Sequence, residues 1–368
     1  MDFMNLLATA PSGVWESLIM WIESWAGTYI LSIILLTVVI KILWSPFDFF
    51  NRKITSKQTA MTNKLKPEID KIQKKYANDK AAQNQKLGEL YKKNNFNMVG
   101  GCLFMLVFIG LNMFIFFSLF AGLGNMSQYK ITQQYDDLKY SYANELSVEL
   151  YGTSLETYTN EQINEMIGLI SEDAHAEIIV KIQSEYEDSQ EYFLWIGNIW
   201  KSEVPWTNSV PTFDEYANIA KLNDEQRSQE RAIYESFMNP IRDEIGRPNG
   251  FLICAILAIG TAFLSTWLTT KKNKGAPAAP GTAGTNKVMM FLMPGLMGVF
   301  ALTTNSVFAI YMIVGQLVTI ALTPLVNLLI NKTIKTEELK KKDEIVVEYS
   351  RNNQKEKEVF VDNKRKKK

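Results

Sequence analysis

The chain has 368 residues, with 39 Lys and Arg against 39 Asp and Glu, and its net charge of zero hides strong segregation along the sequence. Two cysteines and a single histidine leave no stock for a disulfide framework or a Cys/His metal centre. No nucleophile elbow, P-loop or HExxH occurs, so no enzyme chemistry, catalytic residue, cofactor or metal is expected.

Residues 1–27 lack the basic start of a secretory signal. Leu18, Ile19, Trp21, Ile22 and Trp25 stand opposite Glu16 and Glu23, the pattern of an amphipathic helix lying in the membrane interface. Residues 28–48 form an apolar run of the ~20 residues that a bilayer-crossing helix needs. Further runs at 99–122, 251–270, 288–303 and 307–330 make five expected transmembrane helices; the fourth is the shortest and contains Pro294.

Between the first two runs, residues 49–98 are too regular for a linker. Met61, Leu65, Ile69, Ile72 and Tyr76 recur at helical spacing on a basic background, "ANDK" breaks the pattern, and Leu87, Leu90 and Tyr91 resume it. That predicts an antiparallel helical hairpin. It is either a docking arm for polypeptides or a partner, or a solvated hairpin held by its own stripe with its lysines on anionic lipid.

Residues 123–250 read as an acidic, mostly helical region. Thr159 and Gln162 have capping-box spacing, and Ser171 is followed by two acids that favour a helix N-terminus. A third helical stretch, 223–246, is disturbed by Pro240. His175 is expected to be a solvated surface residue. The segment "YFLWIGNIWKSEVPWTNSVP" is rich in Trp and Pro and suits the outer membrane surface. Residues 271–287 include a flexible linker of small residues. The tail, 331–368, ends in lysines suited to lipid headgroups or ribosomal RNA.

Charge sets the orientation. Residues 51–98 carry 12 Lys and Arg against 4 acids, 271–287 carry four Lys and no acid, and 331–368 carry 13 against 8, whereas 125–250 carry 9 against 23. Basic loops stay cytoplasmic, so the N-terminus and the acidic region lie outside and the hairpin, linker and tail inside. The fold class is an all-α polytopic membrane protein.

Within the first span, "ILLTVVIKILWSP" places Lys41 short of any headgroup-level residue. An ionisable side chain near the bilayer centre costs roughly 2.5–3.5 kcal/mol on insertion scales. Either Lys41 snorkels to the cytoplasmic headgroups, or it faces a wet pocket between helices. Asn112 and Gln316 fall near mid-membrane on other spans, and Ser265, Thr266 and Thr319 add hydroxyls. Each alone suits an interhelical hydrogen bond. As a set they favour a polar groove. No span holds an Asp or Glu in its interior, Asp48 lying at the end of the first, whereas an intramembrane protease or proton-relay pump would need one.

Four stretches resemble the YidC/Oxa/Alb insertases. They are "YILSIILLTVVIKILWSPFDFF", with Lys41 where the family carries Arg; the hairpin with "KPEI", "IQKKY" and "LYKK"; "GGCLFMLVFIGLNMFIFFSLF"; and "YFLWIGNIW". Asn97-Met98, Phe104, Phe108, Tyr311-Met312 and the enlarged outer loop depart from the family's pattern, which leaves both a housekeeping insertase and a divergent paralogue open. The large outer loop and the lack of a transit peptide favour a Gram-positive-type bacterial member. The resemblance implies a plasma-membrane insertase and chaperone whose groove opens to the cytoplasm and to lipid. It also implies nascent membrane-protein clients, a ribosome engaged through hairpin and tail, and the Sec translocon as a neighbour, with no DNA partner. Met289, Met290, Met293 and Met297 suit either an adaptable client surface or plain packing. Two other classes fit the residues: a small-solute transporter using Lys41 as a binding charge, and a membrane-anchored scaffold acting through its acidic outer region.

Overall fold

The computed structural model describes residues 7–94, 98–154, 156–271 and 285–365, with side chains at all of these except 98–102, 104, 105, 270, 271, 285–290 and 338–365. Most of the linker, Asn97, and the side chains of Cys102, Phe104, Met289 and Met290 therefore lie outside the described residues.

Among the described residues the regular structure is helical. The helices are α1 (Val14–Ala26), α2 (Tyr29–Lys75), α3 (Lys80–Lys93), α4 (Met98–Tyr151), α5 (Asn160–Leu169), α6 (Glu172–Ser189), α7 (Phe213–Ile219), α8 (Asp224–Ile245), α9 (Ile253–Lys271), α10 (Thr285–Thr303) and α11 (Ser306–Arg365). Three of them, α2, α4 and α11, are long and apolar enough to cross a membrane; the apolar parts of α9 and α10 are shorter. At 1.5 Å per residue, the 47 residues of α2 and the 54 of α4 run about 70 and 80 Å, well beyond a ~30 Å hydrocarbon core. The expected span ends at 48, 122 and 330 are thus changes of composition within continuous helices. Pro46 of α2 and Pro324 of α11 lie close to two of these ends without stopping the helix. The stops are elsewhere, as at Gly27, whose φ of +82° ends α1 in the left-handed region.

The chain forms two compact units. The first holds α1, α2 up to Leu43, α4 from Met105, α5 to α10, and α11 up to Thr319. Its core is one cluster. Ile19 and Ile22 of α1, Tyr29, Ile33 and Leu36 of α2, and Leu119, Leu123 and Met126 of α4 belong to it, as do Phe308 and Tyr311 of α11. The same cluster continues through the C-terminal half of α4 into a tyrosine-rich packing of Tyr135, Tyr142, Tyr216, Tyr234 and Phe237. The ring planes of Tyr135 and Phe237 lie 11° apart with centroids 6.0 Å apart. Helices α5 to α8 cap themselves as their sequences specify. Thr159 and Gln162 form both halves of a capping box, as do Thr212 with Glu215 and Asn223 with Gln226. The Ser171 hydroxyl accepts from Ala174 N–H. Pro240 lies inside α8, which runs on to Ile245.

Helix α1 differs from a plain interfacial helix. Its Glu16 is buried and accepts a hydrogen bond from Asn125 Nδ2 at 2.8 Å. Trp15 Nε1 donates to Ser118 Oγ at 2.7 Å, and Glu23 pairs with Lys130 at 2.7 Å. Gly122 permits this approach, because a Cβ there would lie 2.8 Å from Trp15 Cβ. Ile19 and Ile22 face the core, while Trp21 and Trp25 stay exposed and meet edge to face.

The second unit holds the rest of α2, α3, and α11 from Ile320. Asp79 caps α3 by accepting from Ala82 N–H at 2.9 Å. Leu65 and Ile69 of α2 bury against Leu87 and Leu90 of α3, flanked by Met61, Ile72 and Tyr91. Gln83 Nε2 of α3 donates to Gln73 O of α2 at 3.2 Å. In the same unit Arg52 pairs with Asp48 at 2.8 Å and donates to Thr323 Oγ1 at 3.1 Å. Lys53 and Lys57 of α2 both pair with Glu337 of α11, and they hold its carboxyl down at about 2.

Candidate functional site

Lys41 sits on α2, one turn after Thr37, whose hydroxyl is tied to Ile33 O at 2.6 Å. The Lys41 side chain is half-buried and turned toward α11. A Cβ on Gly315 would stand 3.0 Å from Lys41 Cε, 3.7 Å from its Nζ and 3.7 Å from Thr37 Cγ2. Glycine at 315 therefore leaves the space that the lysine stem occupies. Gln316 follows next on the chain and is half-buried, and Thr319, one turn on, donates to Gly315 O at 2.8 Å.

The other residues expected at this depth stand as follows. Asn112 of α4 is half-buried and donates through Nδ2 to Phe108 O, one turn back, at 2.7 Å. Ser265 of α9 is buried, and Thr266 donates to Ala262 O at 2.8 Å. Each of these bonds is local to its own helix, the usual way a short polar side chain meets an apolar medium. Lys41 makes a contact between elements, with the Gly315 turn of α11. Gly315 was missed in the sequence because a lone glycine in an apolar run carries no charge signal. Met293 is exposed and Met297 half-buried on α10. On the hairpin, Met61, Leu65, Ile69, Ile72, Leu90 and Tyr91 turn toward the pairing of the two arms. Tyr76 lies at the turn, with Lys75 Nζ 5.6 Å from its ring centroid.

On the acidic side of the first unit, a loop ties several helix starts together. Helix α9 follows Leu252, which cannot cap it. Glu203, buried, supplies the missing acceptor: it takes Cys254 N–H at 2.9 Å, Trp195 Nε1–H at 3.1 Å, and Phe251 N–H. The backbone of α11 begins on the same loop, where Lys201 O accepts from Ser306 N at 2.9 Å and from its hydroxyl at 2.6 Å. Trp200 packs on Tyr29 at the start of α2, ring centroids 4.8 Å apart. Asn198 and Asn249 brace the loop reciprocally. Asn249 Oδ1 accepts from Asn198 N at 2.7 Å, and Asn249 Nδ2 donates to Asn198 O at 3.0 Å and Ser202 O at 2.9 Å.

Two buried charges also escaped the sequence reading. Lys139 of α4 pairs with Glu230 of α8 at 2.9 Å, with side-chain exposures of 0% and 2%. Tyr135 Oη and Asn160 Nδ2 donate to the same carboxylate at 2.9 and 3.0 Å. Asp136 accepts from Ala8 N–H at 2.8 Å; burial pushes its carboxyl up to about 6, against the lowering effect of the Ala8 N–H and of Lys139. His175 differs from the solvated residue expected. It is half-buried, its Nε2 shares a hydrogen bond with Tyr142 Oη at 2.8 Å, and burial lowers its pKa.

Three helices long and apolar enough to cross a membrane, and regular structure that is helical among the described residues, define an all-α polytopic membrane protein. The sequence profile of the family described as 60Kd inner membrane protein matches residues 21–336, and the chain belongs to that family. A Clostridium perfringens protein named membrane protein insertase YidC is 24% identical over 316 residues, covering 86% of this chain and 85% of that protein. Proteins of the same name are 37% identical over 101 residues in Fusobacterium nucleatum, 27% of this chain and 47% of that one, and 36% over 101 residues in Geobacter sulfurreducens, 27% of this chain. The matched stretch spans 18% of the length of the Geobacter and the Oleidesulfovibrio alaskensis relatives.

Proposed function

We propose that this protein is a membrane protein insertase and chaperone. It guides client transmembrane segments into the bilayer through a polar, cytoplasm-open groove that carries Lys41. Five spans cross a bacterial plasma membrane, with the N-terminus and acidic region outside and the tail inside. Relatives matching most or part of the chain bear the insertase name. The observation that carries the groove is the Lys41 stem packed against Gly315 of α11, the residue before Gln316.

The physical account is short. A client's polar segment must otherwise cross ~30 Å of hydrocarbon, and a wet pocket reaching mid-membrane roughly halves that distance. The lysine attracts acidic client segments, and the membrane potential favours their outward passage by about 2.3 kcal/mol per charge per 100 mV. The client's apolar span partitions directly into lipid, so no ATP is needed. Gln316, Asn112, Thr319, Ser265 and Thr266 offer the client backbone hydrogen-bond partners. The hairpin's basic outer faces, built over its Leu65–Leu90 core, and the basic tail serve clients and the ribosome, and the Sec translocon is a neighbour in the membrane.

The test is photo-crosslinking from position 40 and, separately, from position 112, with ribosomes stalled on short membrane-protein chains. Crosslinks that appear only at certain chain lengths support passage through the groove. Their absence at both positions, with folded protein and bound ribosomes, overturns it. Solute flux in proteoliposomes that survives without clients would favour a transporter instead.

A further inference from the structure

The loop at 192–206 raises a question that the insertase reading does not answer. Tyr192, Leu194, Trp206 and Phe251 are large, apolar or aromatic, and exposed to 66%, 71%, 70% and 62%. They belong to one structure, since Glu203 holds Trp195 and Phe251 together. Three such residues on one loop, with Phe251 beside them, are a costly surface to leave in water.

The loop's polar groups point the other way. Lys201 and Glu203 are the charged residues within 192–206, and both are buried and engaged, Lys201 with Glu215 at 2.7 Å. Much of its backbone is satisfied internally through Asn198, Asn249 and Ser209. Between Phe193 and Ile196, which exchange backbone hydrogen bonds at 3.1 and 2.9 Å, the chain turns with Leu194 at φ +55°. The left-handed region is unfavourable for a leucine. Here that strained turn presents the leucine outward.

We propose that this loop, with Phe251, is an interfacial anchor seated in the outer-leaflet boundary of the bilayer, and that its partner is lipid. The absence of exposed charge across 192–206 suits acyl chains and glycerol better than water. Tyr and Trp, each with an apolar body and a polar tip, suit that depth. The surface is also continuous with α9. Phe251 stands two residues before that helix, whose Ile256, Ile259, Leu264 and Trp267 are exposed in turn. Lipid that covers α9 extends without a break onto Phe251 and the loop. This inference rests on reading α9 as a membrane span.

The experiment uses the full chain in nanodiscs made with brominated phosphatidylcholine. The difference in tryptophan fluorescence between wild type and Trp206→Phe isolates the signal of Trp206. Shallow-brominated lipid is expected to quench that signal more than deep-brominated lipid, and acrylamide is expected to quench it little. Leu194→Asp is expected to remove most of the lipid quenching. A second reporter, Leu194→Trp in the Trp206→Phe background, should behave as Trp206 does. Strong acrylamide quenching without lipid quenching overturns the anchor. So does protection from both quenchers, which would place a protein surface, such as a second copy, over the loop. Client insertion measured on the same preparations separates the two claims. A loop dry to lipid in a protein that still inserts clients removes only the anchor, whereas a lipid-seated loop without insertion removes only the insertase reading.

Discussion

At the scale of single residues, Lys41 and Gly315 act as a pair. Lys41→Arg keeps the charge, and insertion is expected to persist. Gly315→Val adds a Cβ where only 3.0 Å separates it from the lysine stem, plus two methyls. Overpacking of this kind costs typically 1–3 kcal/mol. Here it should displace Lys41 and lower insertion several-fold, while thermal unfolding of the outer helices stays near wild type. Asp136 gives a pH signature. Its carboxyl, raised to about 6 in the fold, lies above an unfolded value near 3.9, so the native state holds the proton more tightly. Its contribution to stability is full below pH ~4 and is lost as pH rises through 6, at most about 3 kcal/mol. Asp136→Asn should therefore raise the melting temperature at neutral pH and flatten the slope between pH 4 and 6. A slope unchanged by the substitution would refute this. Lys139→Met leaves Glu230 buried without its cation and should destabilise the outer helices by about 3–5 kcal/mol in thermal unfolding. Replacing Glu230 as well, by an apolar residue, should recover much of the loss.

At the scale of elements, periodicity carried the reading far where one face decides. The stripe from Met61 to Tyr91 gave both arms of the hairpin, and Thr159, Gln162 and Ser171 gave the helix starts that are observed. What was not legible came from partners distant in sequence. Glu16 looked like the wet side of α1, yet Asn125, 109 residues away, holds it inside. Glu203 showed no motif, and the clue lay in α9, whose start has no capping residue of its own. His175 looked solvated until Tyr142 was placed beside it. At this scale Gly122→Leu is the informative change. Its Cβ would fall 2.8 Å from Trp15 Cβ, so α1 should lift from α4, and hydrogen exchange of α1 amides should rise while α8 stays protected.

At the scale of the whole molecule, charge and hydropathy are segregated along one chain. Basic segments surround the hairpin and tail, acids concentrate in 125–250, and apolar runs lie between. That segregation made the all-α membrane class readable from sequence, because bilayer thickness and loop charge impose simple rules. The proposed groove was less readable, because the polar residues expected to line it are single letters in apolar runs; the packing of Lys41 against Gly315 sets one of them apart by geometry. The insertase account therefore turns on that lysine. The most direct measurement is insertion of a client with an acidic outer segment into proteoliposomes holding wild type, Lys41→Arg or Lys41→Ala at matched amounts of folded protein. The account predicts near-normal insertion with Arg and a loss of most insertion with Ala, larger for acidic than for uncharged client segments. Full insertion of every client by Lys41→Ala would contradict it.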